Sequence, residues 1–190
     1  NFFVVFLSVV FTAFYFPLIN WSVILGTETS ILTLLLTATT YLALKSAANR
    51  KFSFLLCFLL GAGTLIRMDF IIPAIIMLSY LLFLDLRNRK KYLIFGIPIV
   101  LSFIGAQEVL RFWYYHELLP NTYYFRMTGY PIFMRMTRGL FVSVKAFMPN
   151  LISLNWLLIF APFVYVYSTK NKKILLLLII FTAQILYNIY

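Results

Sequence analysis

A chain of 190 residues that is 63% hydrophobic, 19% aromatic and 11% charged, with a mean hydropathy of +0.95, has too little polar surface for an ordinary water-soluble domain. Sixteen Lys and Arg against five Asp and Glu give a net charge of +11, but the cations sit between apolar runs. That is the pattern of membrane topology signals and makes nucleic-acid binding a poor explanation of the charge. Cys57, the single cysteine, excludes an internal disulfide and reads as a small packing residue.

Crossing the hydrocarbon takes roughly 20 apolar residues as helix. Seven runs approach that measure, beginning with Phe2–Ile19, which is followed by Asn20-Trp21-Ser22 at an interface. The second, Ser30–Leu44, is closed by Lys45, Arg50 and Lys51, and the third, Phe52–Ile66, ends at Arg67-Met68-Asp69. Phe70–Leu84 follows, closed by Arg87, Arg89, Lys90 and Lys91, and then Tyr92–Leu110. After a long loop come Leu151–Tyr167, closed by Lys170, Lys172 and Lys173, and Ile174–Ile189. The pattern predicts an all-α, polytopic transmembrane bundle of about seven spans. Because the chain opens at Asn1 and closes at Tyr190 in apolar sequence, it reads as an internal piece of a longer membrane protein.

The loops after the second, fourth and sixth runs hold ten of the sixteen Lys and Arg, and alternating spans place those loops on one side, which is then cytoplasmic. Glu28, Asp69, Glu108 and Glu117 fall on the opposite face, leaving only Asp85 inside. The long outer loop starts with Arg111–Arg126, read as RFWYYHELLPNTYYFR, too polar and aromatic for a helix interior in hydrocarbon and suited to a membrane–water boundary. Pro120 lacks an N–H and restricts Leu119, so the helix is expected to stop there. Further along, Pro131–Pro149 reads as an amphipathic interfacial helix. Arg135, Arg138 and Lys145 share one arc, opposite Met136, Leu140, Phe141, Val144, Phe147 and Met148.

Arg67 and Asp69 have two readings. As helix-end charges, Arg67 complements a C-terminal dipole and Asp69 caps the next helix. As binding residues, Arg67 offers its planar fork to a phosphate and Asp69 orients it or holds a sugar hydroxyl. Glu28, in Gly26-Thr27-Glu28-Thr29, reads as a first-turn acid with Thr27 or Thr29 as cap, or as a carboxylate for a sugar. Glu108 and Arg111 stand three apart and pair on one helix face. His116 reads as an interfacial hydrogen-bonding side chain. No metal-ligand spacing, nucleophile elbow, P-loop or dinucleotide fingerprint occurs, so neither metal nor cofactor is expected.

In order along the chain, Gly26-Thr27-Glu28-Thr29 opens a span, Arg67-Met68-Asp69 closes the next, and Phe112-Trp113-Tyr114-Tyr115-His116-Glu117-Leu118-Leu119-Pro120-Asn121-Thr122-Tyr123-Tyr124 follows. Together they resemble the GT-C membrane glycosyltransferases, in the bacterial branch that includes the terminal arabinofuranosyltransferases. The resemblance covers roughly Trp21 to Gly129, and Leu118–Thr122 is its most specific part. The branch commonly reads Tyr-Tyr-Gly-x-Leu-Leu-Pro-Asn-Thr-x-Tyr-Ala-Lys; here His116 stands for the glycine and Phe125-Arg126 for Ala-Lys.

The resemblance implies that residues 1–190 are part of a GT-C-like transmembrane domain in a bacterial plasma membrane, with the active face extracytoplasmic. It further implies transfer of a sugar from a polyprenyl-phosphate carrier to a glycan or lipid acceptor. By implication Arg67 and Arg126 contact phosphate, while Glu28, Asp69, His116, Asn121, Tyr123 and Tyr124 contribute to substrate binding. The family's key aspartate lies in the first outer loop; no residue here fits that position, so no catalytic base is assigned. The alternative is a transporter or flippase of a lipid-linked or anionic solute, which would place ionisable groups at a midplane cavity between related halves.

Overall fold

In the computed structural model, the described residues are 28–117, 131–152 and 172–189, with residues 3, 6–7, 9–10 and 163–164. They are helical, with no strand among them. The elements are α1 (Thr29–Asn49), α2 (Phe54–Ile66), α3 (Ile71–Leu84), α4 (Arg89–Tyr115), α5 (Ile132–Ile152) and α6 (Lys172–Ile189). Among the described helices, α1 and α4 are long and apolar enough to cross a membrane, α1 being about 30 Å at its 21 residues. α2, α3 and most of α6 form shorter apolar helices. The first and sixth apolar runs fall mostly outside the described residues.

α1 carries threonines through apolar sequence because their hydroxyls are satisfied inside the helix. Thr33 Oγ1 donates to the Thr29 carbonyl and Thr37 Oγ1 to the Thr33 carbonyl, each at 2.7 Å. Back-bonding of this kind removes the cost of a bare hydroxyl in apolar surroundings. The helix continues past Leu44, where the apolar run stops, because Lys45 can extend its head outward and lay its ammonium 5.5 Å from the Tyr41 ring centre. It ends at Arg50, which is left-handed at φ 50° and returns its N–H to the Ser46 carbonyl. α2 then starts two residues later than the apolar run does, at a cap: Ser53 Oγ accepts the Leu56 N–H at 3.3 Å.

α2 and α4 run in the same direction and pack through their small residues. The Cys57 sulfur lies against Gly96, and Gly61 receives the Phe103 ring, with Phe58 edge-on to the same ring at 5.3 Å. Cys57 is fully buried, as a packing residue should be. α4 opens as one α turn (Arg89–Lys91), widens into a π turn (Tyr92–Gly96), and continues as α-helix from Ile97. Pro98 accounts for the widening, since it cannot donate to the carbonyl four residues back and its ring would strike it.

The core is Leu56, Cys57, Leu60, Ala74, Met77, Leu81 and Tyr92, all fully buried, and Leu176 and Ile180 of α6 close it against α3. Outside this core the surface is apolar: Phe83 is 77% and Trp113 76% exposed, with Leu34 and Ile94 similar. So much exposed hydrocarbon is at home against lipid. α5 packs on α6, Gly139 sitting against the Ile189 carbonyl.

Replacing Gly61 by Leu is expected to cost about 1–3 kcal/mol, because the Phe103 ring occupies the space a side chain needs. Gly105→Ala in the same α2–α4 pair is the control: nothing lies within 4 Å of its added methyl, and helix propensity should stabilise it by up to ~1 kcal/mol. Thermal unfolding in detergent separates the two.

Candidate functional site

The two ends of the bundle differ in chemistry. At one end α1 begins, α2 ends and α3 begins, so Glu28, Arg67 and Asp69 converge. The chain leaves α2 at Arg67 in an extended conformation (φ −144°, ψ 130°) and makes one 3₁₀ turn, Met68–Phe70, before α3. That short crossing turns the Asp69 carboxylate back toward the guanidinium. Arg67 Nε donates to Asp69 Oδ1 at 3.0 Å and Nη2 to Oδ2 at 2.7 Å, a bidentate pair. Arg67 Nη1 lies 3.6 Å from Glu28 Oε1.

Arg67 stands at the C-terminal end of α2 as expected, while the helix-end expectations for the two carboxylates are corrected. Glu28 occupies the N-cap position itself, with backbone angles of φ −67° and ψ 1°, and its side chain makes no capping hydrogen bond. Asp69 sits inside the 3₁₀ turn, and neither that turn nor α3 has a side-chain cap. Both carboxylates are directed to Arg67 instead. Asp69 is the sheltered partner, its side chain 10% exposed, whereas Arg67 and Glu28 are over 40% exposed. Exposure on that scale holds the net worth of the cluster to about 1 kcal/mol of stability; its main effect is to orient the guanidinium. With two carboxylates against one cation, the junction carries a formal charge of −1.

A cavity of about 480 Å³ opens beneath the junction between α1, α3 and α6. Arg67, Asp69 and Thr29 stand in its wall with Thr33 and Thr40 of α1, while Gln184 of α6 adds an amide. Leu32, Leu36, Phe70, Pro73, Leu177, Ile180 and Phe181 supply the apolar remainder. Because the Thr33 hydroxyl proton is committed to the Thr29 carbonyl, this oxygen meets a ligand as an acceptor. The cavity therefore combines a hydrogen-bonding mouth with a mainly apolar body, the usual make-up of a small-molecule site.

Of the remaining predicted residues, His116 is described and does not line this cavity. It ends α4 in the left-handed conformation (φ 57°, ψ 20°), its N–H bonded to the Phe112 carbonyl at 2.9 Å, and its ring lies edge-on to Phe112. Helix α4 thus stops at Tyr115, five residues before Pro120, a correction to the expectation that proline ends it. Asn121, Tyr123, Tyr124 and Arg126 lie outside the described residues. Glu108 and Arg111 pair as expected, Arg111 Nη1 donating to Glu108 Oε1 at 2.8 Å. Among the described residues no three His, Cys, Asp or Glu side chains gather to hold a metal ion.

Thr33, Gln184 and the cavity itself escaped the sequence reading. The only signal for Thr33 was its four-residue spacing from Thr29, which placed both on one helix face. Gln184 carried none beyond being a polar residue in an apolar run. Comparison with known proteins finds no family model that matches the chain, no similar curated protein and no similar solved structure.

Two outcomes follow. A thiol introduced by Thr33→Cys should react with a small thiol reagent at least about tenfold faster than native Cys57, which is fully buried. Labelling followed by mass spectrometry reads both sites in one sample. His116→Gly should stabilise the chain by about 1 kcal/mol by relieving a left-handed side chain, and His116→Val should destabilise it, as thermal unfolding would register.

Proposed function

We propose that this chain belongs to a membrane glycosyltransferase that moves a sugar from a polyprenyl-phosphate carrier to an acceptor at the extracytoplasmic face. The bundle of about seven spans, with α5 lying in the interface, would be part of its transmembrane domain. The observation that carries the reading is the meeting of Glu28 with Arg67 and Asp69, from two separate stretches of the resemblance, at the mouth of one cavity. A second observation supports it. His116 stands where the resembling loops have glycine, and its backbone is left-handed, the conformation glycine adopts without cost.

The chemistry divides by charge. Asp69 takes the Nε–Nη2 edge of Arg67 and leaves the outer edge toward Glu28, where a phosphate oxygen can compete. Glu28, Asp69 and Thr33 offer acceptors, which suit sugar hydroxyls. Arg126 would supply the second cation for the departing phosphate, with His116, Asn121, Tyr123 and Tyr124 of the same loop shaping the pocket. Cations fixed before reaction stabilise developing phosphate charge without reorganisation. No catalytic base is assigned among these residues. A flippase would instead set ionisable groups along the middle of the bundle; outside α5, the described Lys, Arg, Asp and Glu lie in connections or toward helix ends.

The test uses the full-length protein in membranes, supplied with labelled polyprenyl-phosphate sugars and an acceptor glycan. Arg67→Gln and Arg126→Ala should each lower transfer by about 100-fold, the scale of losing one charge-stabilising donor. Unchanged turnover in both variants would overturn the reading, and so would donor that crosses the bilayer with its sugar intact.

A further inference from the structure

The end of the bundle opposite Arg67 carries a feature that sugar transfer does not use. Two connections converge there. The last turns of α1 and the α1–α2 connection bring Lys45, Arg50 and Lys51, and the α3–α4 connection and first turn of α4 bring Arg87, Arg89, Lys90 and Lys91, all exposed. Asn88 fastens one to the other: its Nδ2 donates to the Arg50 carbonyl at 2.7 Å and to Asp85 Oδ2 at 2.8 Å. Asn88 is 6% exposed and Asp85 1%, so the fastening is internal.

Three properties go beyond what a topology signal requires. A buried amide ties together two chain segments that are 38 residues apart. The one acid of this end, Asp85, is turned inward and held by Asn88, and none of the seven cations pairs with a carboxylate among the described residues. Directly beside the cations, Tyr41, Phe54, Phe83, Leu86 and Phe95 expose apolar surface. A fixed cationic patch bordered by exposed hydrocarbon matches a ligand whose anionic head is joined to acyl chains.

We propose that this end is a binding site for anionic phospholipid, the phosphodiester held by the two clasped loops and the acyl chains lying on the apolar belt beside them. The site rests on the chain lying in a bilayer and is independent of the sugar-transfer reading.

The full-length protein would be reconstituted in phosphatidylcholine nanodiscs containing phosphatidylglycerol, and retained lipid measured by native mass spectrometry. The native protein should retain phosphatidylglycerol over phosphatidylcholine by about tenfold. Asn88→Leu, which keeps every cation and opens the clasp, should lower that preference by at least about threefold. Neutralising Arg50 and Lys51, or Lys90 and Lys91, should each lose most of the preference, and the two losses should be less than multiplicative when combined. No preference in the native protein overturns the site. So does full preference in a folded Asn88→Leu, or independent multiplicative losses from the two loops, which decide the matter if Asn88→Leu does not fold. Displacement of the lipid by millimolar inorganic phosphate would also overturn it, because the site would then be one for free anions.

Discussion

A guanidinium between two carboxylates organises one end of this molecule. In an apolar bundle, charged groups persist where they are paired or where they reach a boundary. Arg67 does both: Asp69 grips one edge of its plane while Glu28 approaches the other. The starts of α1 and α3 and the end of α2 are tied together as a result, and the cavity beneath opens at this junction. Because the carboxylates outnumber the cation, the junction is an acceptor-rich rim that contains one oriented guanidinium. It is not a free positive charge waiting for any anion.

The opposite end solves the same problem in reverse. There the acid is buried and the cations are exposed, with a neutral amide joining the acid to the Arg50 backbone carbonyl. Asn88 can do this because its amide nitrogen has two protons, one for the Asp85 carboxylate and one for a backbone carbonyl. Between the ends, hydroxyls such as Thr33, Thr37 and Thr64 return their protons to their own helix. Outside α5, the described Lys, Arg, Asp and Glu thus lie toward the two ends of an apolar body.

Much of this was legible in the sequence because membranes impose a coarse grammar. Lengths of apolar runs and the positions of Lys and Arg marked where α1 to α4 lie and brought Glu28, Arg67 and Asp69 to one end. The Glu108–Arg111 pair followed from helical spacing alone. Other features were not legible for a physical reason. A carboxylate at a helix start looks the same whether it serves the helix backbone or reaches for a neighbouring arginine, so Glu28 could read as a first-turn acid and Asp69 as a cap. The cavity depends on α6, whose Gln184 meets Thr29 and Thr33 only in the folded chain. Asn88 in a basic stretch reads as an ordinary turn residue, and nothing local announces its reach to Arg50. The stop at His116 was hidden because a left-handed residue other than glycine carries no strong sequence signal.

The π turn at Tyr92–Gly96 sets the phase of the longest described helix. One residue inserted into a regular helix rotates everything beyond it by about 100° relative to what came before. Arg89, Lys90 and Lys91 are therefore out of step with the stripe formed by Gly96, Val100 and Phe103. A wheel drawn through the whole of α4 would assign the basic triplet to the wrong sides. The offset lets a single continuous rod keep its packing stripe against α2 while its root points its cations in directions that stripe does not dictate.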